Sequence, residues 1–189
     1  MKNQLILASQ SPQRRQLMAE AGYDFVVHPP VPTAECGICS RETPPEMVAR
    51  LARQKAADVA VQFDDATIVG CDTVAECMGN ILGKPVNEQH AREMLQMMRG
   101  RKHNVYSGLC IWRRPNNDIR VQVDVTQLYM QPITDSELEE YLQSGQWEGK
   151  AGAFGLQDRT GWIEVKSGSE SNVIGLPMEL LAKMLASDD

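Results

Sequence analysis

Two hydroxyl groups, an arginine and a predicted helix start lie close together near the N-terminus and suit an anionic ligand. Ser9 and Ser11 follow a short apolar run, and Ser11-Pro12 predicts the cap and the first residue of a helix. The unpaired amides and the dipole of a helix N-terminus favour negative charge. Arg14 falls in the first turn, where a cation is unfavourable unless an anion lies nearby. The pattern predicts a phosphate site, although a capped helix with a surface arginine fits the same residues.

Asp72 is the second candidate for chemistry, because it follows the apolar residues 68–71 directly. An aspartate at the carboxyl end of a buried strand can hold a divalent metal or take a proton from water. The alternative is a turn aspartate that caps the next segment.

Three lysines beside small residues, Lys55, Lys84 and Lys150, form the third candidate. Lys84 is held between Gly83 and Pro85, whereas Lys55 falls on a helical stripe of apolar residues but also fits a solvated position. Phosphoryl chemistry needs several cations and a carboxylate-bound metal, because charge builds on the phosphate oxygens.

The cysteines and the overall charge limit the function classes. Cys36 and Cys39 have the spacing of a metal or redox pair, but a structural zinc needs four ligands, so two loop cysteines are the simpler interpretation. Five cysteines fit free thiols in a reducing compartment, which predicts a cytoplasmic protein. A formal net charge of −6 argues against nucleic-acid binding, and no stretch reaches the roughly 18 apolar residues that cross a membrane.

The elements that must position these residues alternate between strands and helices for much of the chain. Apolar runs predict strands at residues 4–8, 25–27, 66–71, 74–78, 80–82, 103–112, 119–130 and 162–166. Helical spacing and capping signals predict helices at residues 12–22, 43–62, 87–98, 134–145 and 176–185. The hairpins in the middle of the chain predict a mixed-sheet α/β protein, and residues 1–189 are expected to form a single domain.

Six motifs in order make the chain resemble the Maf family of nucleoside triphosphate pyrophosphatases over nearly its full length. They are LASQSPQR at residues 7–14, RLARQKA at 50–56, GCDTV at 70–74, GKP at 83–85, KAGAFGLQ at 150–157 and SNVIGLP at 171–177. The resemblance implies the fold of the inosine triphosphate pyrophosphatases, an elongated mixed sheet with flanking helices and two lobes around a cleft. It also implies hydrolysis between the α and β phosphates, a divalent cation (Mg or Mn) and a homodimer.

The same resemblance assigns roles to individual residues. Asp72 matches the catalytic base, and Glu35 falls where the family carries an acidic residue associated with the metal that Asp72 also holds. The residues that match phosphate-handling positions are Ser9, Arg14, Lys55 and Lys84, to which spacing adds Ser11 and Lys150.

Three positions bear on the base of the nucleotide. The subfamily acting on dTTP and UTP carries arginine, threonine and glutamine where this chain has Gln13, Thr73 and Gln157, so two of the three match. A neutral glutamine can pair with a uracil or thymine edge, which offers both a donor and an acceptor. The alternatives are hydrolysis of modified nucleotides such as 7-methyl-GTP, and a nucleotide-binding regulator of septum formation with little turnover.

Overall fold

The computed structural model describes residues 4–31, 42–158 and 160–187, apart from the side chain of Gln157. The strands are β1 (Gln4–Ala8), β2 (Val26–Val27), β3 (Ala66–Cys77), β4 (Asn80–Leu82), β5 (Lys102–Arg113), β6 (Asp118–Met130) and β7 (Ile163–Ser167). The helices are α1 (Pro12–Glu20), α2 (Pro44–Ala60), α3 (Glu88–Met98), α4 (Asp135–Gln143), α5 (Glu170–Ile174) and α6 (Met178–Ala186). None of these helices is both long enough and apolar enough to cross a membrane.

The chain forms two compact units, each assembled from separate stretches of sequence. The first unit consists of Met1–Asp72, Ser107–Asp124 and Gly175–Asp189. The second consists of Thr73–Tyr106 and Val125–Ile174. The single domain expected over residues 1–189 stays a prediction.

In the first unit, apolar strands are covered by helices on both faces. Strand β1 pairs in parallel with β2 and β3, and Ala8 lies opposite Gly70. Ile6 and Ile68 pack with helix α2, whereas the next residues along the two strands, Leu7 and Val69, pack with α1 and α6. Since successive side chains point to opposite faces, strands buried on both sides must be apolar at every position, as these are.

In the second unit, helices α3 and α4 pack over antiparallel strands. Ala75 on β3 lies opposite Leu82 on β4, which confirms the predicted hairpin, and β6 pairs antiparallel with β7. Helices α3 and α4 contribute Leu95 and Leu138 to one core. The predicted capping box at the start of α4 is also present, because Thr134 and Glu137 hydrogen-bond each other's backbone amides.

The described strands form one seven-stranded mixed sheet in the order β2-β1-β3-β5-β6-β7, with β4 paired to β3. The predicted mixed-sheet α/β class is therefore confirmed. One local prediction was wrong, and one helix was missed. Strand β3 does not end at Asp72 but runs on to Cys77, because its ladder continues through β4. Helix α5 was not predicted, because five residues are too short to show a helical period.

Candidate active site

Helix α2 approaches strand β3 closely because the strand has a glycine at the point of contact. A Cβ atom at Gly70 would lie 2.3 Å from the carbonyl oxygen of Ala52 and 2.9 Å from the Cβ of Ala56. Lys55 is on the same side of the helix as these alanines, and Asp72 is two residues beyond Gly70 on the same face of the strand. Because Gly70 has no side chain, α2 can lie close enough to β3 for Lys55 to reach Asp72.

Lys55 and Asp72 form a largely buried ion pair. The Lys55 Nζ atom donates to Oδ1 of Asp72 at 2.7 Å, and the two side chains are 7% and 13% exposed. The solvated alternative for Lys55 is therefore wrong, because its place on the apolar stripe of α2 buries it. An ion pair that has lost most of its hydration is costly, so stability alone is a weak explanation for it.

The loop after β1 and the start of α1 are linked by hydroxyl groups. Ser9 is buried, and its Oγ atom accepts from the Ser11 amide at 3.1 Å and from Nη1 of Arg14 at 3.3 Å. The predicted helix cap at Ser11 is confirmed, because its Oγ atom accepts from the Arg14 amide at 3.3 Å. The same hydroxyl donates to Oε1 of Gln13 at 3.0 Å, which fixes Gln13 in the first turn.

The carbonyl of Gly175 joins Arg14 to the strand that carries Asp72. It accepts from Nε of Arg14 at 2.7 Å and from the buried Cys71 thiol at 3.3 Å. Gly175 has a φ of 129°, a region that favours glycine. The Arg14 guanidinium is thus positioned by a carbonyl and a hydroxyl group of the protein itself.

These contacts place Ser9, Ser11, Arg14, Lys55 and Asp72 in one unit of the protein. Strand pairing sets the end of β1 beside Gly70, so the hydroxyl groups and the carboxylate emerge from neighbouring strands. The arrangement offers hydroxyl and cationic donors beside one carboxylate, which suits an anion whose reaction requires a proton acceptor.

A divalent cation is compatible with the Asp72 carboxylate. Lys55 hydrogen-bonds one oxygen, Oδ1, and a cation can coordinate the other; magnesium commonly takes only one or two protein carboxylates together with substrate phosphates. Glu35, the second expected ligand, lies outside the described residues. Within the described residues no three histidine, cysteine or acidic side chains cluster as a ready-made metal site.

In the second unit, Lys150 is held by a residue that the sequence did not single out. Its Nζ atom forms an ion pair with Oδ1 of Asp158, whose side chain is 5% exposed. Oδ2 of Asp158 accepts from the phenol of Tyr141 at 2.7 Å. Burial and the hydrogen bond to Asp158 raise the pKa of Tyr141, so the phenol remains protonated and donates.

The other expected residues of this unit lie on separate elements. Lys84 is exposed in the loop after β4, and that loop is tied to the Lys150 segment because the Gly152 amide donates to the Gly83 carbonyl at 3.0 Å. Thr73 is half-buried on β3, and Gln157 belongs to the short 3-10 helix Leu156–Asp158.

Sequence reasoning missed three residues that position the others: Gly70, Gly175 and Asp158. Gly70 and Gly175 were inside recognised motifs but carried no chemistry of their own. Asp158 is eight residues from Lys150, a spacing that no local rule connects. Cys36 and Cys39 lie outside the described residues, so their interpretation as loop cysteines stays a prediction.

Comparison of the sequence with known proteins finds a family model and related proteins that match almost the whole chain. A family model described as Maf-like protein matches residues 4–188. A dTTP/UTP pyrophosphatase from Rhodopirellula baltica is 57% identical over 182 residues, which is 96% of this chain and 80% of that protein. A dTTP/UTP pyrophosphatase from Dictyoglomus thermophilum is 38% identical over 187 residues, covering 98% and 96% of the two chains.

Two solved structures share the fold at low sequence identity. The Ham1 protein of Staphylococcus aureus aligns with a TM-score of 0.56 and 9% identity, covering 99% of this chain and all of that one. A HAM1 protein from Coxiella burnetii aligns with a TM-score of 0.52 and 13% identity, covering 97% and 98%. At these identities the likeness concerns the fold alone.

Proposed function

This chain belongs to the Maf family, and we propose that it is a pyrophosphatase that hydrolyses dTTP and UTP to the nucleoside monophosphate and pyrophosphate. The relatives that bear the name dTTP/UTP pyrophosphatase support the substrates. The observation that carries the chemistry is the buried Lys55–Asp72 pair beside the hydroxyl groups of the first unit.

Asp72 is the proposed general base. It would accept a proton from water as the water oxygen bonds to the α-phosphorus and the bond to the bridging oxygen of the leaving pyrophosphate breaks. Lys55 holds the carboxylate in place, because its ammonium lies 2.7 Å away in a position that water reaches poorly. A carboxylate so held has a fixed direction, which a proton transfer requires.

Ser9, Arg14 and the amides at the start of α1 are the proposed phosphate ligands. Arg14 is already oriented by Gly175 and Ser9, so little side-chain freedom is lost when an anion binds. Ser11 and Gln13 belong to the same turn, and the helix dipole adds to the attraction. The roles of Lys84 and Lys150 as further phosphate ligands remain predictions.

A divalent cation, Mg or Mn, is proposed as the cofactor; Asp72 would hold it, and Glu35, outside the described residues, is the expected second ligand. When bound, the cation neutralises charge on the phosphate oxygens. Cytoplasmic localisation, a homodimer and the absence of nucleic-acid and membrane partners remain predictions.

Substrate choice is proposed to depend on Gln13, Thr73 and Gln157. Two of these residues match the pyrimidine subfamily, and Gln13 is the exception. Hydrolysis of modified nucleotides, including 7-methyl-GTP, is therefore the competing assignment to be tested alongside dTTP and UTP.

The test measures pyrophosphate release from canonical and modified triphosphates with magnesium, with manganese and without metal. We expect dTTP and UTP to be hydrolysed best, and Asp72→Asn to lower kcat by about 10²–10⁴-fold, the usual contribution of a general base. Asp65→Asn is the matched control, because Asp65 is an exposed aspartate immediately before the start of β3. Full activity in a folded Asp72→Asn protein would refute the assigned base. No release from any triphosphate would favour the binding regulator instead.

A further inference from the structure

The Asp158 carboxylate is a buried junction in the second unit. Three groups contact it: the Lys150 ammonium, the Tyr141 phenol at 2.7 Å and the Gly155 amide at 3.0 Å. The side chain is only 5% exposed, so these groups replace the hydration that a carboxylate has in water. Because both oxygens of Asp158 accept hydrogen bonds from these groups, the aspartate restricts the position of each group that it contacts.

Asp158 closes the segment that carries Gln157 into a fixed loop. Its side chain accepts from the Gly155 amide, while its own amide donates to the Gly155 carbonyl at 3.1 Å. These reciprocal bonds span the 3-10 helix Leu156–Asp158, so the backbone of Gln157 lies inside the closed ring.

The start of the same segment is held in an unusual backbone conformation. Ala153 has a φ of 62°, in the left-handed region that alanine rarely adopts. Its carbonyl accepts from the Tyr141 phenol at 3.2 Å, and Phe154 stacks on Trp162 with ring centroids 5.8 Å apart. Strained backbone persists where its surroundings fix it on several sides, and such strain is concentrated at functional sites.

An asparagine could not make the same set of contacts. All three partners of Asp158 are hydrogen-bond donors, and they engage both carboxylate oxygens. Asparagine has one accepting oxygen, and its NH₂ group would face another donor. Asp158→Asn thus keeps the side-chain volume almost unchanged but removes one of the two oxygens that accept hydrogen bonds.

We propose that Asp158 is a positioning residue for nucleotide discrimination, which rests on the proposed function. By holding Lys150 at one end of the segment and closing the ring around Gln157 at the other, it fixes the backbone from which Gln157 reads the base. A glutamine distinguishes uracil from cytosine only if its amide is held in one orientation, because the two bases exchange donor and acceptor at the same edge.

The experiment compares kcat/KM for UTP and CTP in the wild-type protein and in Asp158→Asn. The ratio of the two values is independent of how much enzyme is folded, so a merely structural role would leave it unchanged. We expect the wild type to prefer UTP and Asp158→Asn to reduce the preference by about tenfold or more, the scale of a positional error near a reacting substrate. Asp158→Glu should restore part of it, since charge and two oxygens return.

Glu164→Gln is the matched control, because it also removes a carboxylate from a lysine pair of the second unit, but an exposed one. Its ratio should equal that of the wild type. Should Asp158→Asn fail to fold, Tyr141→Phe removes one donor from the junction and keeps the aromatic packing. It should shift the ratio in the same direction.

Failure of this inference and failure of the proposed function give different results. A wild-type protein that hydrolyses UTP while its variants keep the same UTP/CTP ratio, or that shows no preference at all, overturns the role of Asp158. A wild-type protein that releases pyrophosphate from no triphosphate overturns the proposed function, and the discrimination with it. In that case hydrogen exchange at the Gly155 amide, faster in Asp158→Asn if the ring opens, still measures the anchoring.

Discussion

Removing the Lys55 ammonium should destabilise the protein more than removing both members of its ion pair. Lys55→Met keeps a long apolar stem on the buried face of α2 but leaves the Asp72 carboxylate, 13% exposed, without its cation. Breaking a buried pair typically costs about 3–5 kcal/mol. Because some water still reaches Asp72, we expect about 3 kcal/mol, the lower end of that range.

The other two variants of the cycle should cost less. Asp72→Asn leaves a lysine that can extend its flexible stem towards water, so a loss of about 1–2 kcal/mol is expected. In the double variant no charge remains buried, and replacing both partners is often close to neutral. Adding Asp72→Asn to Lys55→Met should therefore restore about 2 kcal/mol, so the two changes should be strongly non-additive, as expected for residues in contact.

Urea unfolding followed by circular dichroism measures all four proteins, and an unchanged slope against urea shows that the same surface is exposed in each. Lys166→Met is the control, since its partner Glu164 is exposed and surface pairs contribute only about 0–1 kcal/mol. Additive effects, or a loss below about 1 kcal/mol in Lys55→Met, would refute the reasoning that this pair is desolvated and coupled.

Two further changes test the close packing at Gly70 and the burial of His103. In Gly70→Ala, the new Cβ atom would lie 2.3 Å from the Ala52 carbonyl oxygen, so α2 must move away by about 1 Å. We expect the free energy of unfolding, measured in urea, to fall by about 1–3 kcal/mol. We also expect kcat to fall by up to about 10²-fold, because Lys55 moves with the helix. Gly83→Ala, where a Cβ atom meets nothing within 4 Å, should keep the stability of the wild type, and equal stability of the two variants would contradict the close approach. Burial lowers the pKa of His103, whose Nδ1 atom has no hydrogen-bond partner among the described residues, so the unfolded chain takes up a proton there at a higher pH than the native protein. Stability should thus fall as the pH drops below about 6.5, and urea unfolding at several pH values should show a weaker dependence in His103→Gln; an identical dependence would contradict it.

The parts of the fold that follow local rules could be predicted from the sequence. The apolar stripe of α2, the capping box of α4 and the buried run of β1 each satisfy a short-range period or a capping pattern. The end of β3 could not be predicted in this way. Asp72 interrupts the apolar run, but the strand continues because hydrogen bonds to β4, not side-chain polarity, decide where a ladder ends.

The candidate residues could be named from motifs, but their partners could not. Lys55 and Asp72 are 17 positions apart, and nothing in their spacing predicts an ion pair; only the packing of α2 on Gly70 does. Asp158 shows the same limit, since its three partners come from α4, from the Lys150 segment and from its own turn. Long-range contacts arise from tertiary packing, for which a single sequence carries no periodic signal.

Among the described residues, each unit of the protein contains a buried lysine–aspartate pair, and stability alone does not account for either. The Lys55–Asp72 side chains are 7% and 13% exposed, and those of Lys150 and Asp158 are 16% and 5% exposed. Apolar residues of the same volume would usually serve the fold as well or better, because desolvating two charges offsets most of their attraction. What an ion pair supplies and an apolar pair does not is a carboxylate and an ammonium of fixed direction. A hydrolase acting on a polyanion needs such groups, which is why these two pairs are the features of the chain that argue most strongly for chemistry.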